Sequence, residues 1–204
     1  LQWEQDLGDM TTRNSFGEGS SPAIQGNTLV VNWDHEKDSF IVALDKRSGK
    51  ELWRQSRNEP SSWSTPLIVE FASKHQVIVS ASNKTRSYDL TTGTVIWESA
   101  GLGTNVIPTP LYRDGVVYVA SGHRSPAMQA IRLDKAKDDI TGTDAVVWST
   151  EKNTPYVASP LLYDDRLFMT KGRDAILSCY VPSTGEVIYG PQRLEDMGTS
   201  YASL

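Results

Sequence analysis

Ala43-Leu44-Asp45-Lys46-Arg47-Ser48-Gly49-Lys50-Glu51-Leu52-Trp53 decides the fold, because its elements recur along the chain. Tyr88-Asp89-Leu90-Thr91-Thr92-Gly93-Thr94-Val95-Ile96-Trp97 again sets Gly four residues after an Asp and Trp four after the Gly. Val181-Pro182-Ser183-Thr184-Gly185-Glu186-Val187-Ile188-Tyr189 repeats the spacing with Val181 for the Asp and Tyr189 for the Trp. An Asp side chain accepts backbone N–H groups of a turn, and Gly supplies the positive φ that closes a hairpin. A ring at Gly+4 is then expected to bury between neighbouring sheets, its N–H seeking a carbonyl. The third copy departs: Lys135 to Thr141 separate Asp134 from Gly142, a longer excursion before Trp148. Trp3 stands ahead of the series as an orphan.

Upstream of each turn lies a second repeat, Ser/Thr-Pro-apolar: Ser21-Pro22-Ala23, Thr65-Pro66-Leu67, Thr109-Pro110-Leu111 and Ser159-Pro160-Leu161, with prolines 44, 44 and 50 apart. Two further apolar strands follow each before the turn. Four antiparallel strands recurring at about 40–45 residues are the pattern of a β-propeller blade. Pro suits the inner strand, whose channel-facing edge needs no N–H. The chain therefore reads as an all-β partial propeller, with blades at about 20–54, 64–98, 108–149 and 158–190 and part-blades at 1–7 and 198–204. Tyr201-Ala202-Ser203-Leu204 falls where the next Ser-Pro is due. Both ends are thus expected to lie within blades, either as a segment of a longer chain or with self-association completing a ring.

Composition excludes several functions. A formal charge of -5 in 204 residues, with no Lys/Arg run, argues against nucleic acid. The longest uncharged stretch, Gly19 to Trp33, is broken by Pro22 and Gly26, so no membrane span is expected. His35, His75 and His123 fall in three different blades, and no Gly-x-Ser-x-Gly is present, so neither a zinc site nor a hydrolytic triad is expected.

The turn repeat resembles the Ala-x-Asp-x-x-Thr-Gly-x-x-x-Trp signature of the pyrroloquinoline-quinone-like (PQQ-like) propeller repeat family, and the likeness covers essentially the whole chain. Trp33-Asp34-His35-Glu36-Lys37-Asp38-Ser39-Phe40, Ser62-Trp63-Ser64-Thr65-Pro66 and Gly142-Thr143-Asp144-Ala145-Val146-Val147-Trp148 resemble a secreted bacterial subgroup. In architecture the chain is similar to the lipoprotein scaffold of the outer-membrane β-barrel assembly machinery. The resemblance implies a periplasmic or extracellular location. It also raises PQQ and Ca²⁺, which quinoprotein dehydrogenases hold with a vicinal cysteine pair, a Trp floor and acidic and amide side chains. This chain has one cysteine, Cys179, and the repeat itself is structural, so no cofactor is expected.

Two candidate sites remain. Asp34, Glu36 and Asp38, if extended, would share one side of a loop and offer oxygens to Ca²⁺; otherwise the loop is a solvated hairpin tip. In that case Asp34→Ala should cost little, while Gly49→Val or Gly93→Val should cost at least about 1 kcal/mol. Trp63 and Tyr201, three residues before a Pro position, and Asn105 and Tyr156 slightly further off, are placed at the channel mouth, with His123 and Arg124 nearby as a possible anion contact. Aromatics converging on a funnel stack on a ligand, grip an extended peptide or plug the channel. The reading is a non-catalytic scaffold that binds a protein or extended ligand on a loop face; the alternatives are part of a quinone-dependent oxidoreductase and a carbohydrate-binding propeller.

Overall fold

The middle strands of the repeat read as unbroken apolar runs, Ile41-Val42-Ala43-Leu44, Val77-Ile78-Val79 and Val117-Tyr118-Val119-Ala120, whereas the outer ones alternate. A strand covered on both faces needs apolar residues at every position, and a strand at the rim only on one. The computed structural model, which describes residues 1–203, shows this arrangement. The first sheet runs β1 (Ala23–Gln25), β2 (Thr28–Trp33), β3 (Phe40–Asp45), β4 (Glu51–Ser56). The second runs β5 (Leu67–Phe71), β6 (Lys74–Val79), β7 (Thr85–Asp89), β8 (Val95–Ser99). The third runs β9 (Leu111–Arg113), β10 (Val116–Ser121), β11 (Ala127–Arg132), β13 (Val146–Thr150), and the two-residue β12 (Asp138–Asp139) between the last two in sequence joins the second sheet. The fourth runs β14 (Leu161–Tyr163), β15 (Arg166–Thr170), β16 (Ile176–Tyr180), β17 (Val187–Arg193). Apart from β12, all four are antiparallel meanders, the blades of a β-propeller arc. The part-blades expected at 1–7 and 198–204 carry no strand among the described residues, and Leu204 lies outside them.

Apolar clusters join one sheet to the next. Val30, Ile41 and Ala43 of the first pack on Val77, Val79 and Tyr88 of the second. Val69, Ile78 and Trp97 pack on Val117, Val119 and Ile131, and Tyr118, Ala120 and Met128 pack on Leu167, Met169 and Tyr180. The turn repeat locks these interfaces. Asp45 Oδ1 accepts the N–H groups of Arg47 and Ser48, and Asp89 Oδ1 those of Thr91 and Thr92. Gly49, Gly93 and Gly185 lie at φ 71°, 73° and 72°. Each forms the floor for the indole of the preceding unit: Trp3 lies over Gly49, Trp53 over Gly93 and Trp148 over Gly185. The three indole N–H groups donate to the carbonyls of Lys46, Leu90 and Pro182, each three residues before that Gly, at 2.7–2.9 Å. Trp3 thus docks as the end of a preceding blade would, although no strand carries it.

The third unit breaks the pattern because of its excursion. Lys135–Thr141 crosses to the second sheet, where β12 adds in parallel to the outer edge of β8 and Ile140 enters the core around Trp97. Gly142 has nothing within 4 Å of its Cβ position, and Trp97 donates to Gln76 Oε1 in its own sheet. Lys84 pairs with Glu98 and Asp139 there, and Arg86 with Glu98 and Glu59. Burial works against the Glu98 charge, but Lys84 and Arg86 outweigh it and hold its carboxyl below the usual range; Thr141 and then Lys84 do the same for Asp139. Stability from such depressed carboxyls is complete above the ordinary carboxyl range of about pH 4 and is lost as pH falls through the lower folded-state values. The melting temperature is therefore expected to fall on acidification below about pH 4, and to fall less in Lys84→Met. Parallel acid profiles for the two proteins would remove the network as a source of stability.

Candidate functional site at the channel mouth

Successive inner strands are stitched together where they begin. Ser21 N–H donates to Thr65 Oγ1, Thr109 N–H to Ser159 Oγ and Ser159 N–H to Ser203 Oγ, while Ser20 Oγ donates to the Ser64 carbonyl and Ser64 Oγ to that of Pro108. This ladder fixes the residues just ahead of it. Gly19, Trp63, Ile107, Val157 and Tyr201 each stand three positions before Pro22, Pro66, Pro110, Pro160 and Leu204 in the sequence. All five line one cavity of about 400 Å³, completed by Phe16, Glu18, Tyr156 and Arg173.

Trp63 lies over Gly19, where a Cβ would sit 2.7 Å from the indole Cδ1. Its N–H donates to the Gly17 carbonyl at 2.8 Å and its ring meets Phe16 at 6.2 Å. Tyr156 stacks on His123 with centroids 5.0 Å apart. Its segment is pinned between the third and fourth sheets: Tyr156 N–H donates to the Gly172 carbonyl, and Thr154 Oγ1 to that of Ser121. The Arg173 guanidinium lies 5.9 Å from the Tyr156 ring and 5.5 Å from the Tyr201 ring, and its Nη1 donates to the Tyr201 hydroxyl at 2.6 Å.

The acidic loop divides: Asp34 and His35 are buried in this construction, whereas Glu36, Lys37 and Asp38 form an exposed tip, and the three carboxylates build no cage. Asp34 is fully buried, held by Arg57 Nε and Nη2 at 2.7 and 3.0 Å and by Ser62 Oγ at 2.7 Å. Glu36 accepts Ser61 N–H and Oγ and lies 3.5 Å from Arg13. Burial opposes the Glu36 charge, but Ser61 and Arg13 outweigh it and hold its carboxyl below the usual range. Asp38 joins neither carboxylate, and among the described residues no three His, Cys, Asp or Glu are grouped to hold a metal ion. Two carboxylates thus anchor Ser61-Ser62, immediately before Trp63.

Asn105 is buried and does not line the cavity; its Oδ1 accepts from Arg13 Nη1 at 3.4 Å, tethering the segment that carries Phe16. His123 reaches the cavity only through Tyr156, and Arg124 does not line it. Trp63, Tyr156 and Tyr201 line the cavity together. Gly19, Ile107 and Val157 were readable from the same Pro−3 register, whereas Phe16 and Arg173 lie outside any repeat. The groups that a quinone site requires are not assembled among the described residues: Cys179, the single cysteine of the sequence, is buried in β16 beside Phe168, and Asp34 is committed to Arg57. The residues present do not fit that cofactor.

Residues 37–188 match the family model described as outer membrane protein assembly factor BamB. The protein of that name from Francisella salina is 30% identical over 103 residues, 50% of this chain and 18% of that protein. The one from Francisella tularensis is 29% identical over 116 residues, 52% of this chain and 24% of that protein. Among solved structures, BamB from Moraxella catarrhalis is similar with a TM-score of 0.57 at 22% identity, over 81% of this chain and 46% of that one. A europium-containing methanol dehydrogenase is similar with a TM-score of 0.59 at 15% identity, over 84% and 41%. At such identities the structural likeness shows the fold alone. The chain spans less than half the length of each of these proteins.

Proposed function

The chain belongs to the PQQ-like propeller family described as outer membrane protein assembly factor BamB, and on that premise we propose that it is a non-catalytic scaffold of outer membrane protein assembly, working in the bacterial periplasm and holding a partner protein at its channel mouth. The observation that supports the reading is the lining of the mouth. Phe16, Trp63, Tyr156 and Tyr201 contribute rings to an open cavity with Ile107 and Val157 between them in the register. Aromatic side chains around a concave apolar surface anchor polypeptides through large contact area at low side-chain entropy cost. The ladder of Ser and Thr hydroxyls keeps that surface rigid, so little is lost in ordering it on binding.

The test is recovery of partners with tagged protein from cells. The Trp63→Ala/Tyr156→Ala double variant is expected to recover at least about tenfold less partner than the unaltered protein, and Gly19→Ala, which displaces the Trp63 ring, to lie between them. Circular dichroism should report the same fold for all three. Undiminished recovery by the double variant would place the binding surface elsewhere on the propeller.

A further inference from the structure

Of the arginines with no carboxylate within 4.0 Å among the described residues, Arg47, Arg124, Arg166, Arg173 and Arg193, Arg173 is the one whose guanidinium is fixed by a side-chain hydrogen bond. Arg13, Arg54, Arg57, Arg86, Arg113 and Arg132 each have a carboxylate within 4.0 Å. Arg173 has none among the described residues, although it is fixed by the Tyr201 hydroxyl and lies against two tyrosine rings. A guanidinium held in place keeps donors in a planar fork that suits a carboxylate, and holding it in advance removes part of the entropy cost of the contact.

The chain itself shows how a polypeptide lies on this face. Residues 11–19 cross it with no strand or α-helix, only the short 3-10 turn Arg13–Ser15. Thr11 N–H donates to His35 Nδ1, Arg13 N–H to Ser61 Oγ, and the Gly17 carbonyl accepts the Trp63 indole N–H while Phe16 packs on that indole. An irregular backbone, one carbonyl on the indole and one aromatic side chain on the ring are the contacts the mouth already makes.

Resting on the mouth as the binding site, we propose that its ligand is an extended polypeptide segment in which a carboxylate side chain stands beside an aromatic one. The carboxylate pairs with Arg173, and the ring enters the cavity lined by Trp63, Ile107, Val157 and Tyr201. The protein carries a net charge of -5, so long-range attraction does not bring an acidic segment in; recognition depends on the local guanidinium and the apolar contact together.

Fluorescence anisotropy with a fluorescein-labelled, end-blocked hexapeptide Ser-Gly-Glu-Phe-Gly-Ser, with glutamine and alanine replacing its glutamate and phenylalanine in turn, tests this up to about 1 mM protein. The glutamine peptide is expected to bind at least about fivefold more weakly than the parent, and the alanine peptide likewise. Arg173→Gln, whose melting temperature should be unchanged because the side chain is exposed, is expected to abolish the glutamate preference while keeping the phenylalanine preference. Equal binding of the glutamate and glutamine peptides, a preference that survives Arg173→Gln, or no binding of any peptide would overturn the inference. If partner recovery still depends on Trp63 and Tyr156, only the ligand class has failed; if that dependence is also absent, the mouth itself has failed.

Discussion

Asp34→Ala is expected to lower folding stability by roughly 3–5 kcal/mol, because it removes one half of a fully buried ion pair and leaves the other half uncompensated. Burial alone disfavours the Arg57 cation, but Asp34, Tyr88 and Glu59 outweigh it and hold its pKa above the ordinary value. Without Asp34, the guanidinium keeps the Tyr88 hydroxyl and loses both of its bonds to the carboxylate. Ser62 Oγ loses its acceptor as well, so the variant should also loosen the segment that carries Trp63. Urea denaturation with an unchanged m-value measures the loss. The Asp34→Leu/Arg57→Met double variant should recover most of it, since an apolar pair leaves no charge stranded in the interface. A cost below about 1 kcal/mol for Asp34→Ala would mean that the pair is hydrated in solution, contrary to the packing described.

The second large effect separates backbone strain from packing with two glycines of nearly equal φ. Gly142→Ala, at φ 71° with open space around its Cβ position, is expected to cost about 1–2 kcal/mol from the left-handed backbone alone. Gly93→Ala, at φ 73°, would in addition place a Cβ 2.6 Å from Trp53 ring carbons. That indole is held by the Leu90 carbonyl and stacked on Tyr88, so it cannot move cheaply. Overpacking of this kind adds about 1–3 kcal/mol, for a total of about 2–5. Chemical denaturation of the two variants side by side reads the difference. Equal costs would show that the indole over glycine contributes nothing to holding one blade on the next.

The blades were legible because a propeller repeats its physics. The first two units share the same turn, the same buried ring and the same entry to the inner strand, so Asp45/Gly49/Trp53 and Asp89/Gly93/Trp97 announce themselves at fixed spacing, whereas the third turn is stretched and Tyr189, the ring of the fourth, is exposed. What failed to show was pairing between residues distant in sequence. Asp34 looks like a surface acid because Arg57 lies 23 residues away, and nothing in a one-dimensional pattern joins them. The excursion after Asp134 announced only its length; that it crosses to β8 and covers Trp97 depends on which edge lies within reach. Of the mouth, the part built from repeat positions was readable at Trp63 and Tyr201. Phe16 and Arg173 arrive from segments without periodicity, and only their neighbours reveal them.

Whether the channel mouth is the surface that holds a partner protein is decided by site-specific photocrosslinking in cells. A photoreactive residue at Val157, in the Pro−3 register of the mouth, is compared with one at Val95, exposed on the outer strand of the second sheet. A discrete crosslinked partner is expected from position 157, lost in the Trp63→Ala background, and none from position 95. A partner captured from position 95 with nothing from position 157 would contradict that expectation.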